Sequence, residues 1–508
     1  MNVINDRMVE KIETGIPGLD PICCGGFPLG RTTLVSGTTG SAKTVFAAQF
    51  LTAGIARKQN GVFVTFEESP DDIRKNMMSL GWDIAKLEAE GKWTFVDASP
   101  QPESETVLAG EYDFGALLAR IEHAVRKVNA HRISLDSLGT VFTRFPNPAI
   151  VRHELFRISQ ALKMLRITAV LTAERTEDYG SISRYSVEEF VADNVIILRN
   201  PLGEEKRRRT LEILKFRGTA HQKGEFPFTI ASREGVVVLP LPLMELKQPS
   251  SQVRISSGCK ELDQMCGGGL FQNSVILVSG ATGTGKTLAV SHFVAGANHG
   301  EERCLLFAYE ESREQLFRNG TGWGFDLERL ERENRLQVQC TYPESEALED
   351  HFIRMKNCIA EFRPTRVAVD SLSALERVSS VRGFREFVNS LTSYLKQEEI
   401  TGLFTSTTPS LLAGTSVTEA HISTVTDSIV LLRYVELYGE MRRGITVLKM
   451  RGSAHDKEIR QFSIDGRGIH IGKPFRNISG ILSGNFLQVV QPELQRFDGL
   501  FEPEAPLD

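Results

Sequence analysis

No stretch of this 508-residue chain approaches the roughly eighteen consecutive apolar residues that a membrane-spanning helix needs. The opening segment, MNVINDRMVEKIETG, has no apolar core of the kind a secretory leader requires. Cysteine is scarce and unpatterned. Cys23, Cys24, Cys259, Cys266, Cys304, Cys340 and Cys358 are odd in number and form no CxxC pair. Reduced thiols of a cytoplasmic protein are therefore expected, rather than a disulfide framework or a zinc site. A charge excess of one sign is also missing. The 64 acidic and 59 basic residues leave a net charge of -5, which argues against a protein whose main task is coating nucleic acid. With 41% hydrophobic and 24% charged residues the chain has ordinary globular composition, and its length allows two to four domains.

What the chain does have is a repeat. LKFRGTAH at 214–221 returns as LKMRGSAH at 448–455, and VADNVIILR at 191–199 returns as VTDSIVLLR at 425–433. SGTTGSAKT at 36–44 returns as SGATGTGKT at 279–287, and TFEES at 65–69 as AYEES at 308–312. Lys43 and Lys286 are 243 apart, as are Glu67 and Glu310; Asp136 and Asp370 are 234 apart, as are Lys215 and Lys449. One nine-residue deletion in the second copy, between the glutamates and the aspartate, accounts for both spacings. A period this long means tandem domains rather than a solenoid. Pro240, Pro242, Pro249, Ser250 and Ser251 mark a linker. The expected division is a first domain at 1–243, a second at 244–478, and a C-terminal loop and acidic tail at 479–508. Each copy alternates short apolar strands with helical patterns, which predicts an α/β fold of two tandem domains, each a mostly parallel sheet flanked by helices.

Residues 280–287, Gly280, Ala281, Thr282, Gly283, Thr284, Gly285, Lys286 and Thr287, satisfy the phosphate-loop pattern G-x-x-x-x-G-K-[ST] between a strand and a helix. Glycines let the backbone close on phosphates, while amides at a helix start face negative charge. Lys286 reaches the terminal phosphates and the Thr287 hydroxyl serves Mg²⁺. The first copy, Gly37, Thr38, Thr39, Gly40, Ser41, Ala42, Lys43 and Thr44, departs once: Ala42 stands where the second glycine belongs. Its Cβ restricts φ, yet Lys43 and Thr44 remain, so ATP binding is expected in both copies, with affinity or turnover altered in the first.

Glu67 and Glu68, and their counterparts Glu310 and Glu311, follow apolar strands 24 residues after the loop lysine. Ligands sit at such strand ends, where a carboxylate can polarise an attacking water or hydroxyl. Asp136 and Asp370 close the apolar runs RISLD and RVAVD and are the expected Mg²⁺-orienting partners of Thr44 and Thr287, with Glu310 beside them. Lys215, Arg217 and His221 recur as Lys449, Arg451 and His455 in a basic turn that could neutralise the phosphates of a neighbouring subunit. The run 206–209 lacks a counterpart and reads as a solvated hairpin.

Together with TEAHISTVTDS at 418–428 and MRGSAHDKEIRQFSI at 450–464, these motifs make nearly the whole chain resemble the KaiC family, hexameric ATPases and autokinases of the cyanobacterial circadian clock. The resemblance implies two tandem RecA-like P-loop NTPase domains, ATP and Mg²⁺ as cofactors, a homohexamer, and phosphorylation of Ser423 and Thr424 across the subunit interface, with Thr418 as a neighbouring transfer-competent threonine. It implies that Glu310 activates those hydroxyls. It also implies a KaiB-like partner on the N-terminal ring and allows a histidine-kinase output partner. The loop 478–484 keeps an ISG-x-L-SG pattern, but the tail 491–508 diverges, so a KaiA-like partner is not carried over. At the 234 spacing Ser423 and Thr424 fall opposite Glu189 and Phe190, and Thr418 opposite Arg184. An acceptor hydroxyl is thus expected in the second copy alone. The competing readings are a RecA-like recombinase or helicase, which the acidic balance opposes, a KaiC-like signalling ATPase without a clock role, and a non-catalytic nucleotide-gated scaffold.

Overall fold

The computed structural model describes residues 9–99, 114–137, 139, 148–181, 192–203, 206–239, 251–297, 302–408, 422–437, 439–476, 478–479, 481 and 487–488. Thr418, the linker prolines, the three residues opposite the acceptors and the acidic tail lie outside them. The chain forms two compact units, Met1–Leu243 and Met244–Asp508.

Each unit is built on one nine-stranded sheet. The first contains β1 (Thr32–Gly37), β2 (Gly61–Thr65), β3 (Trp93–Asp97), β4 (Arg132–Asp136), β5 (Thr168–Glu174), β6 (Asn194–Arg199), β7 (Thr210–Phe216), β8 (Glu225–Ala231) and β9 (Gly235–Val238). Their spatial order is β9-β8-β7-β6-β1-β5-β4-β2-β3. Strands β1 to β6 run parallel, and β7 to β9 extend the sheet as an antiparallel meander. The second sheet contains β10 (Val275–Gly280), β11 (Cys304–Ala308), β12 (Leu336–Cys340), β13 (Arg366–Asp370), β14 (Thr401–Thr407), β15 (Ser428–Leu437), β16 (Glu440–Met450), β17 (Arg460–Asp465) and β18 (Gly468–Pro474). It repeats the order as β12-β11-β13-β14-β10-β15-β16-β17-β18, with the same change from parallel to antiparallel pairing. These are the mostly parallel, helix-flanked sheets that the alternating pattern predicts.

The central strands are buried along their whole length, as strands covered on both faces must be. In the first unit one apolar cluster holds Phe27, Phe46, Phe50 and Phe228, and a second holds Leu117, Ile121, Leu155 and Ile158. The helix Lys43–Ala56 buries Phe46, Ala47, Ala48, Gln49, Phe50 and Leu51, so apolar contact surrounds it. Burying each phenylalanine stabilises the unit by about 1.5–3 kcal/mol. That packing fixes the helix's first turn, where Lys43 and Thr44 sit. A buried arginine opens β4 and β13 alike. Arg132 donates to the carbonyls of Glu13 and Phe50, and Arg366 to those of Ser256 and Gly296, tying the strand to the segment before the sheet and to the phosphate-loop helix.

The repeat spacing finds its physical place in the loops. β3 and β12 are 243 apart, whereas the next helices, Phe114–Val128 and Leu348–Phe362, are 234 apart, so the nine extra residues lie between strand and helix. β5 and β14 are 233 apart, a further one-residue shift that is restored by β6 and β15.

Candidate nucleotide and phosphoacceptor sites

β1 and β10 end in the two glycine-rich loops, between parallel neighbours on both sides. Each loop leads into a helix whose cap residue is left-handed, Ala42 at φ 73° and Gly285 at φ 109°. Neither cap offers a side-chain acceptor, so the first amides of both helices lack the usual partner. Other helices of the same units are capped: Ser69 accepts from the Asp72 amide, and Ser312 with Gln315 forms a capping box. Uncapped amides at a helix start form an anion site. The Lys43 ammonium donates to the carbonyls of Gly37 and Thr38, both at 3.1 Å, and Lys286 donates to those of Gly280 and Ala281 at 2.9 and 3.0 Å. Burial pushes both ammonium groups below their ordinary range. Glu174, Asp136 and Glu67 oppose this at Lys43, and Asp370 and Glu310 at Lys286.

Beside the loops stand the aspartates. Asp136 accepts from Thr172 at 2.5 Å and from Thr44; Asp370 accepts from Thr405 at 2.5 Å and from Thr287. Burial raises both carboxyls, and the hydroxyl bonds pull the other way. Sheet register sets Thr65 opposite Asp136 and Ala308 opposite Asp370, so the glutamate pairs emerge next to the aspartates. Within each pair the two residues differ. Glu67 accepts from the Ser137 hydroxyl at 2.7 Å, and Glu310 pairs with Arg377 at 3.4 Å. Glu68 and Glu311 are held by Asn76 and Asn319 of the following helix at 3.2 and 2.9 Å. Burial raises both of these second carboxyls, the neighbouring aspartate adds to the effect, and the asparagine opposes it.

The basic turns lie elsewhere. β7 is antiparallel to β6, and Phe216 pairs with Asn194 at the edge where β6 begins. Asn194 in turn lies opposite Thr33, at the start of β1, while the phosphate loop leaves β1 at Gly37. About 13 Å of strand separates the two ends. In the second unit Met450 pairs with Ser428, next to Ile276 at the start of β10. Lys215, Arg217, Lys449 and Arg451 therefore sit at the sheet edge opposite their own unit's loop. Lys215 donates to the Ala192 carbonyl at 2.8 Å, and Arg217 lies 3.9 Å from Asp193. His221 packs on Phe216, with ring centroids 6.0 Å apart, and His455 is 3.5 Å from the Ser453 carbonyl.

Ser423 and Thr424 occupy this same edge. They close a 3₁₀ turn, Ile422–Thr424, just ahead of β15. Ile422 is buried, Ser423 half-buried and Thr424 exposed.

Several neighbours were not legible in the sequence. Thr172 and Thr405 orient the aspartates through tertiary contact alone. Asp178 accepts from the Thr38 hydroxyl at 2.8 Å, and Arg209, from the run read as a solvated hairpin, lies 3.3 Å from the Gly40 carbonyl. Glu174 ends β5 opposite Gly37, where the second unit has Thr407 opposite Gly280.

The family described as "ATPase: KaiC" matches residues 12–242 and again 255–475. The chain belongs to the KaiC family. It is 65% identical over 494 residues to the circadian clock protein KaiC3 of Synechocystis sp., covering 97% of this chain and 98% of that protein. It is 54% identical over 488 residues to the circadian clock oscillator protein KaiC of Synechococcus elongatus, covering 96% and 94%. The KaiC of Thermosynechococcus vestitus is 55% identical over 477 residues, covering 94% and 92%. Both units thus match the KaiC ATPase family. Among the described residues no helix is long and apolar enough to cross a membrane.

Proposed function

We propose that this KaiC-family chain is a cytoplasmic ATPase and autokinase that works as a homohexamer, with ATP turnover in the unit 1–243 and phosphorylation of Ser423 and Thr424 in the unit 244–478. The phosphorylation state is its timing or signalling output. The observation that carries this reading is the opposition of edges. Each phosphate loop leaves one end of its sheet, while the basic turn and the acceptor hydroxyls stand at the other. A head-to-tail contact between two copies brings these ends together, and such contacts close into rings when the rotation allows. Six subunits follow from the family resemblance.

The donor set suits Mg²⁺ with ATP. Thr44 with Asp136, and Thr287 with Asp370, supply hard oxygens. No cluster of three or more metal-ligating side chains stands among the described residues, so phosphate oxygens and water would complete the shell. Mg²⁺ supplies charge neutralisation at the phosphates. Lys286 and the uncapped helix amides hold the phosphate chain. Glu310 takes the proton of the Ser423 or Thr424 hydroxyl of an adjacent copy. The hydroxyl oxygen bonds to the γ-phosphorus, the bond to the bridging oxygen breaks, and ADP leaves. In the first unit water takes the hydroxyl's place and Glu67 receives its proton. Lys449, Arg451 and His455, and Lys215, Arg217 and His221, lie where they can face the phosphates of an adjacent copy. A KaiB-like protein on the N-terminal ring and a histidine-kinase output are the partners the family suggests.

Complementation tests the trans arrangement. A Lys286→Ala chain lacks a working donor loop, and a Ser423→Ala, Thr424→Ala chain lacks acceptors. Each alone is expected to stay unphosphorylated in Mg-ATP. Co-assembled, they are expected to place phosphate on the Lys286→Ala chain. A silent mixture of well-folded, co-assembled chains would contradict transfer between copies, and DNA-stimulated turnover would favour the RecA-like DNA motor instead.

A further inference from the structure

The carbonyls of the acceptor turn are satisfied in an unusual way. Main-chain amides serve Ile422, through Val425 at 3.1 Å, and Asp427, through Arg451 at 2.9 Å. Between them the Thr426 hydroxyl reaches Ser423 O only at 3.5 Å, and cations make the shorter bonds. The Lys449 ammonium donates to Ser423 O at 2.8 Å and to Thr426 O at 2.7 Å, and the Arg451 guanidinium donates to Thr424 O at 2.8 Å. A buried or half-buried carbonyl needs a partner, and the last carbonyls of a helical turn have none within the turn. Charged donors make the shorter, stronger bonds. The Thr426 contact has an equivalent in the first unit, where Lys215 holds Ala192 O. Arg217 differs from Arg451 in lying against the Asp193 carboxylate. In both units the aspartate is also engaged by a helix lysine and a strand amide, Asp427 by Lys396 at 2.8 Å and the Val275 amide at 2.9 Å, and Asp193 by Lys163 at 3.0 Å and the Thr32 amide at 3.4 Å.

We propose that Lys449 and Arg451 are positioning residues for the phosphoacceptors of their own chain, with Lys449 setting Ser423 and Arg451 setting Thr424, so that the pair governs which hydroxyl receives phosphate. This rests on the autokinase reading and adds to it. The family resemblance turns these cations toward the phosphates of an adjacent copy, whereas the bonds here reach back to the turn that carries the acceptors. One cation on each residue's carbonyl lets the two hydroxyls be presented independently. Misplacing a reacting atom by about 1 Å costs on the order of a hundredfold in rate, so a loosened grip is expected to change the order of use as well as the total. Transfer to either hydroxyl consumes one ATP as described above and sets about -1.5 to -2 charges beside the same cations.

The test uses full-length Lys449→Met, Arg451→Met and Lys449→Arg, with Lys215→Met as the first-unit control. Two readouts are needed. Early phosphopeptide ratios after Mg-ATP addition are expected to move in opposite directions. Lys449→Met should lower the Ser423 share relative to Thr424 by roughly tenfold, the scale of one charge-assisted hydrogen bond. Arg451→Met should lower the Thr424 share, and Lys449→Arg should restore the ratio. Amide hydrogen exchange across 422–427, measured without nucleotide, is expected to quicken in both methionine variants and to stay unchanged in Lys215→Met. Proportional loss at both sites, or unchanged exchange, would overturn the positioning role. Absence of phosphate in the unmutated protein would overturn the autokinase reading, while the exchange data would still decide whether the cations hold the turn.

Discussion

The helix that begins at Lys43 is tied to the last hairpin of its sheet by an amide, and the helix that begins at Lys286 by an imidazole. Gln49 donates to the carbonyls of Glu234 and Val236 at 2.8 and 3.0 Å and accepts from the Val236 amide at 2.7 Å. Its counterpart His292 accepts from the Ile469 amide at Nε2, 2.9 Å away, which leaves Nδ1–H to donate to Gly258 O at 3.0 Å. In both units a glycine stands against this side chain. A Cβ on Gly235 would come within 2.6 Å of Gln49, and one on Gly468 within 2.4 Å of His292. The same junction is built twice, once from a group that never titrates and once from one that can. The edge that carries the glycine-rich loop varies in parallel: Ala42 against Gly285, Ser137 on Glu67 against Arg377 on Glu310, and Glu174 against Thr407. The sheet and the loop–lysine–aspartate set are held in common, while the residues touching them differ between the two units.

The largest effect that would sharpen this contrast is at the loop lysines. Lys286→Ala is expected to reduce phosphate on Ser423 and Thr424 by at least about a hundredfold, and Lys43→Ala to spare it while lowering steady-state ATP turnover. Phosphopeptide mapping alongside ADP release reads both. Equal loss of phosphorylation in the two variants would break the division between units. Next come the glutamates. Glu310→Gln is expected to slow autophosphorylation by about 10²–10⁴-fold, the usual worth of a positioned base, and Glu67→Gln to slow first-unit turnover similarly. Glu68→Gln and Glu311→Gln, bound to helix asparagines, should cost much less. The reverse ranking would assign the base to the second glutamate of each pair.

Smaller effects are expected at the caps and at the junction. Ala42 holds a left-handed conformation that costs roughly 1–2 kcal/mol for a residue with a Cβ. Ala42→Gly should relieve up to about 1 kcal/mol of that, read as a raised first-unit melting temperature. Gly285→Ala should destabilise the second unit, because its φ of 109° is one that residues with a Cβ rarely adopt, and that Cβ would also meet Ile464 at 3.1 Å. The smallest effect is a pH slope. Burial pushes His292 below its ordinary value of 6.5, against the pull of Gly258 O and Glu261, with His470 adding to the fall. The folded unit thus binds fewer protons there than the unfolded chain. The contribution is whole above pH ~6.5 and is lost as pH drops through the lowered folded value. His292→Gln should flatten the acid side of the second unit's melting profile. An unchanged profile would show that other groups set it.

The fold was legible because the repeat placed every central strand twice. VILVSG and RVAVD need no partner to be recognised as buried strands, and a strand–loop–helix around GATGTGKT is a local pattern. What escaped the sequence is what depends on strand order. Thr172 reaches Asp136 only because β5 lies beside β4, and nothing in TAVLTAE marks that threonine. The run ending at Arg209 reads as a solvated hairpin in the sequence because its approach to Gly40 is made across the sheet. The one-residue shift between β5 and β14 was likewise hidden, since motifs on both sides keep the 234 spacing. The basic turns were recognised as repeated, yet their place at the far edge from the phosphate loops follows only from the antiparallel turn of β7 and β16.

The most direct test of the whole account is phosphosite mapping of the full-length protein before and after incubation with Mg-ATP, with the Lys286→Ala chain beside it. Phosphate confined to Ser423 and Thr424, gained with ATP and absent from Lys286→Ala, is the expected result. A folded, ATP-hydrolysing protein that carries phosphate on neither residue would contradict it.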